Sequence, residues 1–195
     1  KTPITIIHGE MNQYPENRIL QDALVRMNNS IEYQLQRAVI SDHKFLAKGS
    51  SIIKVLEMVL QAMEKIYSDK PVQVHLDISE NTLFYGDEND LLEVLGNLID
   101  NAYKFGCNDL YIRATEDKSN MALTIEDNGP GLPEYNQTRI FQRGERLDQQ
   151  GLGQGIGLAV VYDIVKGYEG EVSAEPSEFG GVKFSLSFPK LGSQL

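Results

Sequence analysis

The thirteen residues from Glu93 to Phe105 form a helix whose two halves cannot share one environment. With 3.6 residues per turn and Glu93 as zero, Asn97, Asn101 and Lys104 fall at about 40°, 80° and 20°, and Asp100 at about −20°. Leu91, Leu95, Leu98, Ile99 and Ala102 fall between about 140° and 240°. The apolar half must be buried, which makes this helix an internal wall of a layered fold. The polar half has an ordinary account, a solvated surface. Solvated faces favour Lys and Glu, however, and asparagine is a poor helix former. Two asparagines in the interior, beside a carboxylate and an ammonium, point instead to a polar partner such as a metal ion with phosphates. Gly86-Asp87-Glu88 marks the helix start, with Asp87 as the cap.

Around this helix the hydrophobic period changes along the chain. In residues 1–48, Ile4, Ile7 and Met11 have helical spacing up to Tyr14-Pro15-Glu16-Asn17. Leu20, Leu24, Met27, Ile31 and Ala38 then step by threes and fours, with Gln34 in the seam. Two short helices cannot bury such a seam alone. The spacing predicts half of a dimeric four-helix bundle, the alternative being packing on the rest of the chain. Lys48-Gly49-Ser50-Ser51 marks a boundary, and residues 49–195 form a second domain. There Ile52, Leu56, Val59, Met63 and Ile66 predict a helix ending near Asp69-Lys70-Pro71. Val72, Val74, Leu76 and Ile78 alternate with polar residues as a half-buried strand, which leaves His75 solvated on the polar side. Further alternation at Leu110–Ala114, Met121–Ile125 and Val182–Phe188, with a helix over 155–168, predicts an α+β sandwich on a mixed or antiparallel sheet.

Composition narrows the function. With 28 acidic against 18 basic residues the net charge is −10, which argues against a general nucleic-acid surface. An anionic ligand would need a locally basic or metal-assisted site. Cys107 is the single cysteine, so no intrachain disulfide forms, and a packed thiol in a reducing compartment is expected. No apolar run reaches the length of a membrane span and no signal-peptide pattern opens the chain, which suggests a soluble piece of a longer protein.

Seven of the 17 glycines lie between positions 129 and 157, so this connection is specialised. It leaves a strand as Asp127-Asn128-Gly129-Pro130-Gly131 and enters a helix as Gly151-Leu152-Gly153-Gln154-Gly155-Ile156-Gly157-Leu158. Glycines at a helix start let main-chain N–H groups and the positive dipole end approach an anion. The spacing fits neither G-x-G-x-x-G nor G-x-x-x-x-G-K-[ST], which argues against dinucleotide-binding and P-loop folds.

Taken together these segments resemble the GHKL superfamily of ATP-binding proteins. Glu93-x-x-x-Asn97-x-x-x-Asn101-x-x-Lys104-Phe105 resembles its N box, and Asp127-x-Gly129-x-Gly131 its G1 box. Phe141-Gln142-Arg143-Gly144 resembles an F box, and Gly153-x-Gly155-x-Gly157-Leu158 the G2 box. The opening Lys1-Thr2-Pro3 resembles the end of the H-[DE]-L-K-T-P phosphoacceptor motif of sensor histidine kinases. The resemblance covers essentially the whole chain and implies Mg²⁺ and ATP as cofactors. Asn97 would offer its carbonyl oxygen to Mg²⁺, a hard cation that also takes phosphate oxygens and waters. Asn101, Lys104, Gln154 and the Gly153, Gly155 and Gly157 amides would contact phosphates, with Leu158 beginning the helix behind them. Asp127, followed by Gly129 and Gly131, would accept from the adenine amine. Phe105 would pack near the base or ribose, ordinary core being its alternative. Of the lid cations Arg143 and Arg146, the second matches a phosphate-contacting position, and Glu93 would orient the nucleophile.

The same resemblance implies a homodimer through the helical hairpin, a response-regulator partner, and a cytoplasmic place in a membrane-anchored bacterial parent. It also brings departures. The phosphoacceptor histidine would precede Lys1 by three residues, His8 lies about 280° around the helix from that position, and His43 is solvated or capping. The expectation is a chain that binds nucleotide without phosphorylating itself. Thr2 matches a position tied to phosphatase activity, and Gly151 stands where similar lids carry a cation, which implies weaker phosphate affinity. The competing readings are a GHKL ATPase and a degenerate kinase that only dimerises and docks.

Overall fold

The computed structural model describes residues 49–132, 140–141 and 156–190. The expected hairpin and the boundary at residue 48 lie outside them. Strand β1 (Ser50–Ser51) leads into helix α1 (Ile52–Ile66), then β2 (Gln73–Ile78) and β3 (Leu83–Phe84). Helix α2 (Glu88–Phe105) precedes β4 (Asp109–Glu116) and β5 (Asn120–Asp127), and α3 (Gly157–Gly167) precedes β6 (Glu171–Pro176) and β7 (Val182–Pro189).

The main sheet runs β2-β4-β5-β7-β6, and β1 pairs separately with β3. Among the described strands only β2 and β4 are parallel, with Val74 opposite Leu110 and Ile78 opposite Ala114. A parallel pair needs a long crossover, and α2 lies within it. The other main-sheet pairs are antiparallel, with Ile112 opposite Ile125 and Ile125 opposite Phe184. Alternation fixes the faces: Leu110, Ile112, Met121, Leu123, Ile125, Phe184 and Leu186 are buried towards the helices, while Tyr111, Arg113 and Thr124 stand on the opposite side. The mixed sheet with helices agrees with the sequence expectation, and no described helix is long and apolar enough to cross a membrane.

Helix α2 lies between α1 and α3. Its start is set as expected, with Asp87 Oδ1 accepting from the Asn89 amide at 2.7 Å. Its end is Gly106, left-handed at φ 82°, whose amide donates to Ala102 and Tyr103. Leu91, Leu95, Leu98 and Ile99 are fully buried, and truncating one to alanine would cost roughly 2–5 kcal/mol. Two features escaped the sequence reading. Strand β6 is an edge strand whose only buried side chain is Ala174, too few apolar positions to register as alternation. Strands β1 and β3 are two residues each.

Candidate functional site

Helix α2 turns its asparagine face towards the start of α3. Asn97 Nδ2 donates to the Glu93 carbonyl at 2.8 Å, which directs Oδ1 away from its own helix. Gly157, the first residue of α3, lies so close that a Cβ there would collide with this Oδ1. Only glycine leaves the Asn97 carboxamide where it stands. One turn on, Asn101 is half-buried and its carboxamide has no hydrogen-bond partner among the described residues. Gly157 and Leu158 are likewise half-buried at the head of α3.

Asp100 and Lys104 form an i,i+4 ion pair, and the second Asp100 oxygen accepts from Tyr67 Oη at 2.6 Å. Lys104 is thus anchored from behind by a carboxylate to which the sequence reading gave no role. Tyr67 at the end of α1 also packs against Tyr103 at 5.3 Å, so α1 and α2 together fix Asp100. The Tyr67 hydroxyl is pushed well above its ordinary value by burial and by Asp100. At the other end of α2, Tyr168 Oη donates to Asp90 Oδ2 at 2.6 Å and accepts from the Asp87 amide at 2.9 Å. This ties the end of α3 to the start of α2. Glu93 is exposed on its outer side, yet partial burial and neighbouring Asp90 raise its carboxyl above the ordinary range. A carboxylate so tuned can hold or share a proton more readily than a free one.

Asp127 closes β5 and is only 9% exposed. Its Oδ1 accepts from the Gly129 amide at 2.8 Å and the Val182 amide at 3.3 Å. Burial raises its carboxyl, and those two amides act in the opposite direction. Gly181, in the turn just before β7, presses against it, with no room for a Cβ between the Asp127 carboxylate and the Gly129 amide. Gly131, at φ 74°, faces the Gly180 and Gly181 carbonyls. On its other side Gly129 faces the Phe105 carbonyl and the Cys107 amide, so the turn after β5 meets the end of α2. Phe105 there is 49% exposed and does not belong to the core, whereas Cys107 is buried, its thiol pushed up to about 11 by burial.

Glu93, Asn97, Asn101, Lys104 and Phe105 therefore share one helix, with Gly157, which Leu158 follows, against Asn97, and with Gly129, between Asp127 and Gly131, beside the helix end. Arg143, Arg146, Gly151, Gly153, Gln154 and Gly155 lie outside the described residues. Among the described residues no group of three or more His, Cys, Asp or Glu is placed to hold a metal ion. A cation at Asn97 would share its shell with phosphate oxygens and water. A cleft of about 350 Å³ at the ends of β2 and β4, lined by Asp77, Asn81, Thr115 and Glu116, lies elsewhere. Its two carboxylates repel an anion, and both already pair with cations, Asp77 with Arg113 and Glu116 with Lys190.

Ile66 on α1 and Leu76 on β2, both expected on apolar faces, are 65% and 45% exposed, and His75 also differs from its expected environment. His75 is not merely solvated: Nε2 lies 3.0 Å from Asp109 Oδ1, and the ring stacks on Tyr111 at 4.5 Å.

Residues 86–192 match the model of the "Histidine kinase-, DNA gyrase B-, and HSP90-like ATPase" family. The chain is 37% identical over 195 residues to the two-component sensor PhoQ of Pseudomonas aeruginosa, covering 96% of this chain and 44% of that protein. It thus spans less than half the length of this relative. Among solved structures, the mycobacterial sensor histidine kinase MprB superposes with a TM-score of 0.64 at 23% identity, over 74% of this chain and 97% of that one. The ATP binding domain of PrrB from Mycobacterium tuberculosis gives 0.61 at 26% identity, over 73% and 96%.

Proposed function

The chain belongs to the histidine kinase-, DNA gyrase B- and HSP90-like ATPase family, and we propose that it is the Mg·ATP-binding catalytic portion of a sensor histidine kinase. The observation that carries this reading is the contact of Asn97 Oδ1 with Gly157, at the meeting of an asparagine-bearing helix and a glycine-led one. The donor set fits the metal: the Asn97 amide nitrogen is occupied by the Glu93 carbonyl, which leaves a hard oxygen available beside a helix start that favours anions. Bound there, Mg²⁺ would supply charge neutralisation to the phosphates. Asn101 and Lys104 would hold the phosphates, the lysine steadied by Asp100. Gly153, Gln154, Gly155, Gly157 and Arg146 would complete the phosphate side.

Asp127 would accept from the exocyclic amine of adenine, and Phe105 would cover base or ribose with its exposed ring. Glu93, its carboxyl raised, would orient the attacking imidazole. Phosphoryl transfer depends chiefly on such positioning and charge stabilisation. In the parent protein the γ-phosphoryl group would pass to a histidine and then to an aspartate of a response regulator. The hairpin of residues 1–48 would join two copies, beneath a membrane-anchored sensor. The similarity to a PhoQ sensor supports these finer points.

Calorimetric titration with a non-hydrolysable ATP analogue tests the site. Magnesium-dependent binding, weakened in both Asn97→Ala and Lys104→Ala, is expected. A folded wild type that binds nothing would overturn the reading. Labelled ATP with the full-length protein tests the transfer, and no acid-labile phosphoprotein would refute it.

A further inference from the structure

We infer that His75, Tyr111 and Phe179, on the sheet face away from the helices, are positioning residues that hold Asp127 in place to read the base. The inference rests on the nucleotide site proposed above and adds residues that touch no ligand.

Two arms run from His75 to the two sides of Asp127. In the first, His75 Nε2 meets Asp109 Oδ1 at 3.0 Å, and Asp109 Oδ2 accepts from Asn128 Nδ2 at 2.9 Å. Asn128 Oδ1 in turn accepts from the Asn108 and Asp109 amides at 2.8 and 2.9 Å. The residue after Asp127 is thereby pinned to the start of β4. In the second arm the His75 ring stacks on Tyr111, and Tyr111 stacks on Phe179 at 3.9 Å with 15° between planes. Phe179 belongs to the turn between β6 and β7. Its amide donates to Ser177 Oγ at 3.1 Å, and that hydroxyl donates to Glu126 Oε2 at 3.2 Å. The residue before Asp127 therefore holds the turn as well.

This same turn delivers Gly181 against the Asp127 carboxylate and the Val182 amide to its Oδ1. If the turn lifts, Asp127 loses one of its two amide donors and one wall. Phe179 is 42% exposed, so its stacking on Tyr111 serves the placement of the turn far more than the filling of a core. Strand alternation puts the whole device on the opposite face of the sheet from the ligand. It acts on the base-reading carboxylate and leaves Asn97 and Lys104 untouched.

The test is base discrimination. Non-hydrolysable adenine and guanine triphosphate analogues, with Mg²⁺, are titrated against wild type, Phe179→Ala, Tyr111→Ala and the conservative Phe179→Tyr. In Phe179→Ala, adenine affinity is expected to fall roughly three- to tenfold while guanine affinity holds, as befits loss of one offset stack. Tyr111→Ala should do the same, and Phe179→Tyr should restore the preference. Equal losses for both bases, or an unchanged preference in Phe179→Ala, would overturn the inference alone. A wild type that binds neither analogue would overturn the proposed site and this inference with it.

Discussion

Asn97 and Asp127 stand at the two ends of the proposed nucleotide site, and their surroundings are opposite in kind. Asn97 is half-buried, held by one bond to a carbonyl of its own helix, with its free oxygen against the head of α3. Asp127 is nearly enclosed, bonded to two amides and walled by Gly181. The proposed phosphate end is thus a set of partly exposed polar groups whose geometry the ligand and its cation would complete. The proposed base end would be formed before a ligand arrives. Preorganisation of this kind favours discrimination, because a fixed acceptor leaves a mismatched base with an unpaired polar group. The more open end suits a ligand whose charge is neutralised step by step.

The contrast fails at once if its enclosed end can be altered freely. Gly181→Ala should have the largest effect, since its Cβ would occupy the space of the Asp127 carboxylate and the Gly129 amide. Overpacking of this order costs about 1–3 kcal/mol, and thermal denaturation should read a clear fall in Tm. Adenine-nucleotide binding should vanish with it. An unchanged Tm would mean that the cradle yields easily and is not preorganised.

Asp127→Asn separates binding from stability. It keeps the shape and one acceptor but removes a buried charge. Nucleotide affinity should fall roughly ten- to hundredfold, the range for a hydrogen bond to a charged group, while Tm holds or rises. Calorimetry and melting on the same sample decide it. Parallel losses of affinity and Tm would make Asp127 a structural residue.

Gly157→Ala probes the open end. Alanine is a better helix former than glycine, so the fold should not weaken. Its Cβ would push Asn97 Oδ1 aside, and magnesium-dependent affinity should fall on the order of tenfold, about 1.4 kcal/mol. If magnesium dependence survives intact, Asn97 does not hold the cation.

How much of this was legible in sequence follows from how local each constraint is. Helix α2 declared its cap two residues from the amide it serves and its buried half through spacing alone. The order of glycines and asparagines carried the family. The Asp127 cradle did not, because the Val182 amide arrives from 55 positions away. Asp100 was visible on the polar face, but its partner Tyr67 lies 33 positions earlier on another helix. An alternating strand leaves His75 solvated, because nothing in it announces an aromatic stack across β4. That pairing follows from the parallel register, which sets His75 opposite Tyr111.

The smallest effect is the pH dependence of the enclosed end, and its two parts have opposite signs. Burial raises the folded-state Asp127 carboxyl above the 3.8 of a free aspartate. Between those two values the native state holds more protons than the unfolded chain, so this group makes stability fall as pH rises through the window. On the proposed reading binding runs the other way, because the adenine amine would need the ionised acceptor; affinity should rise with pH through the same raised value. Subtracting Asp127→Asn from wild type, in urea unfolding and in nucleotide titrations between about pH 4 and pH 7, isolates both slopes. Opposed slopes that disappear in the variant would tie base recognition to the buried carboxylate. A stability slope of the same sign as the binding slope would mean that Gly129 and Val182 outweigh burial and hold Asp127 charged in the free protein.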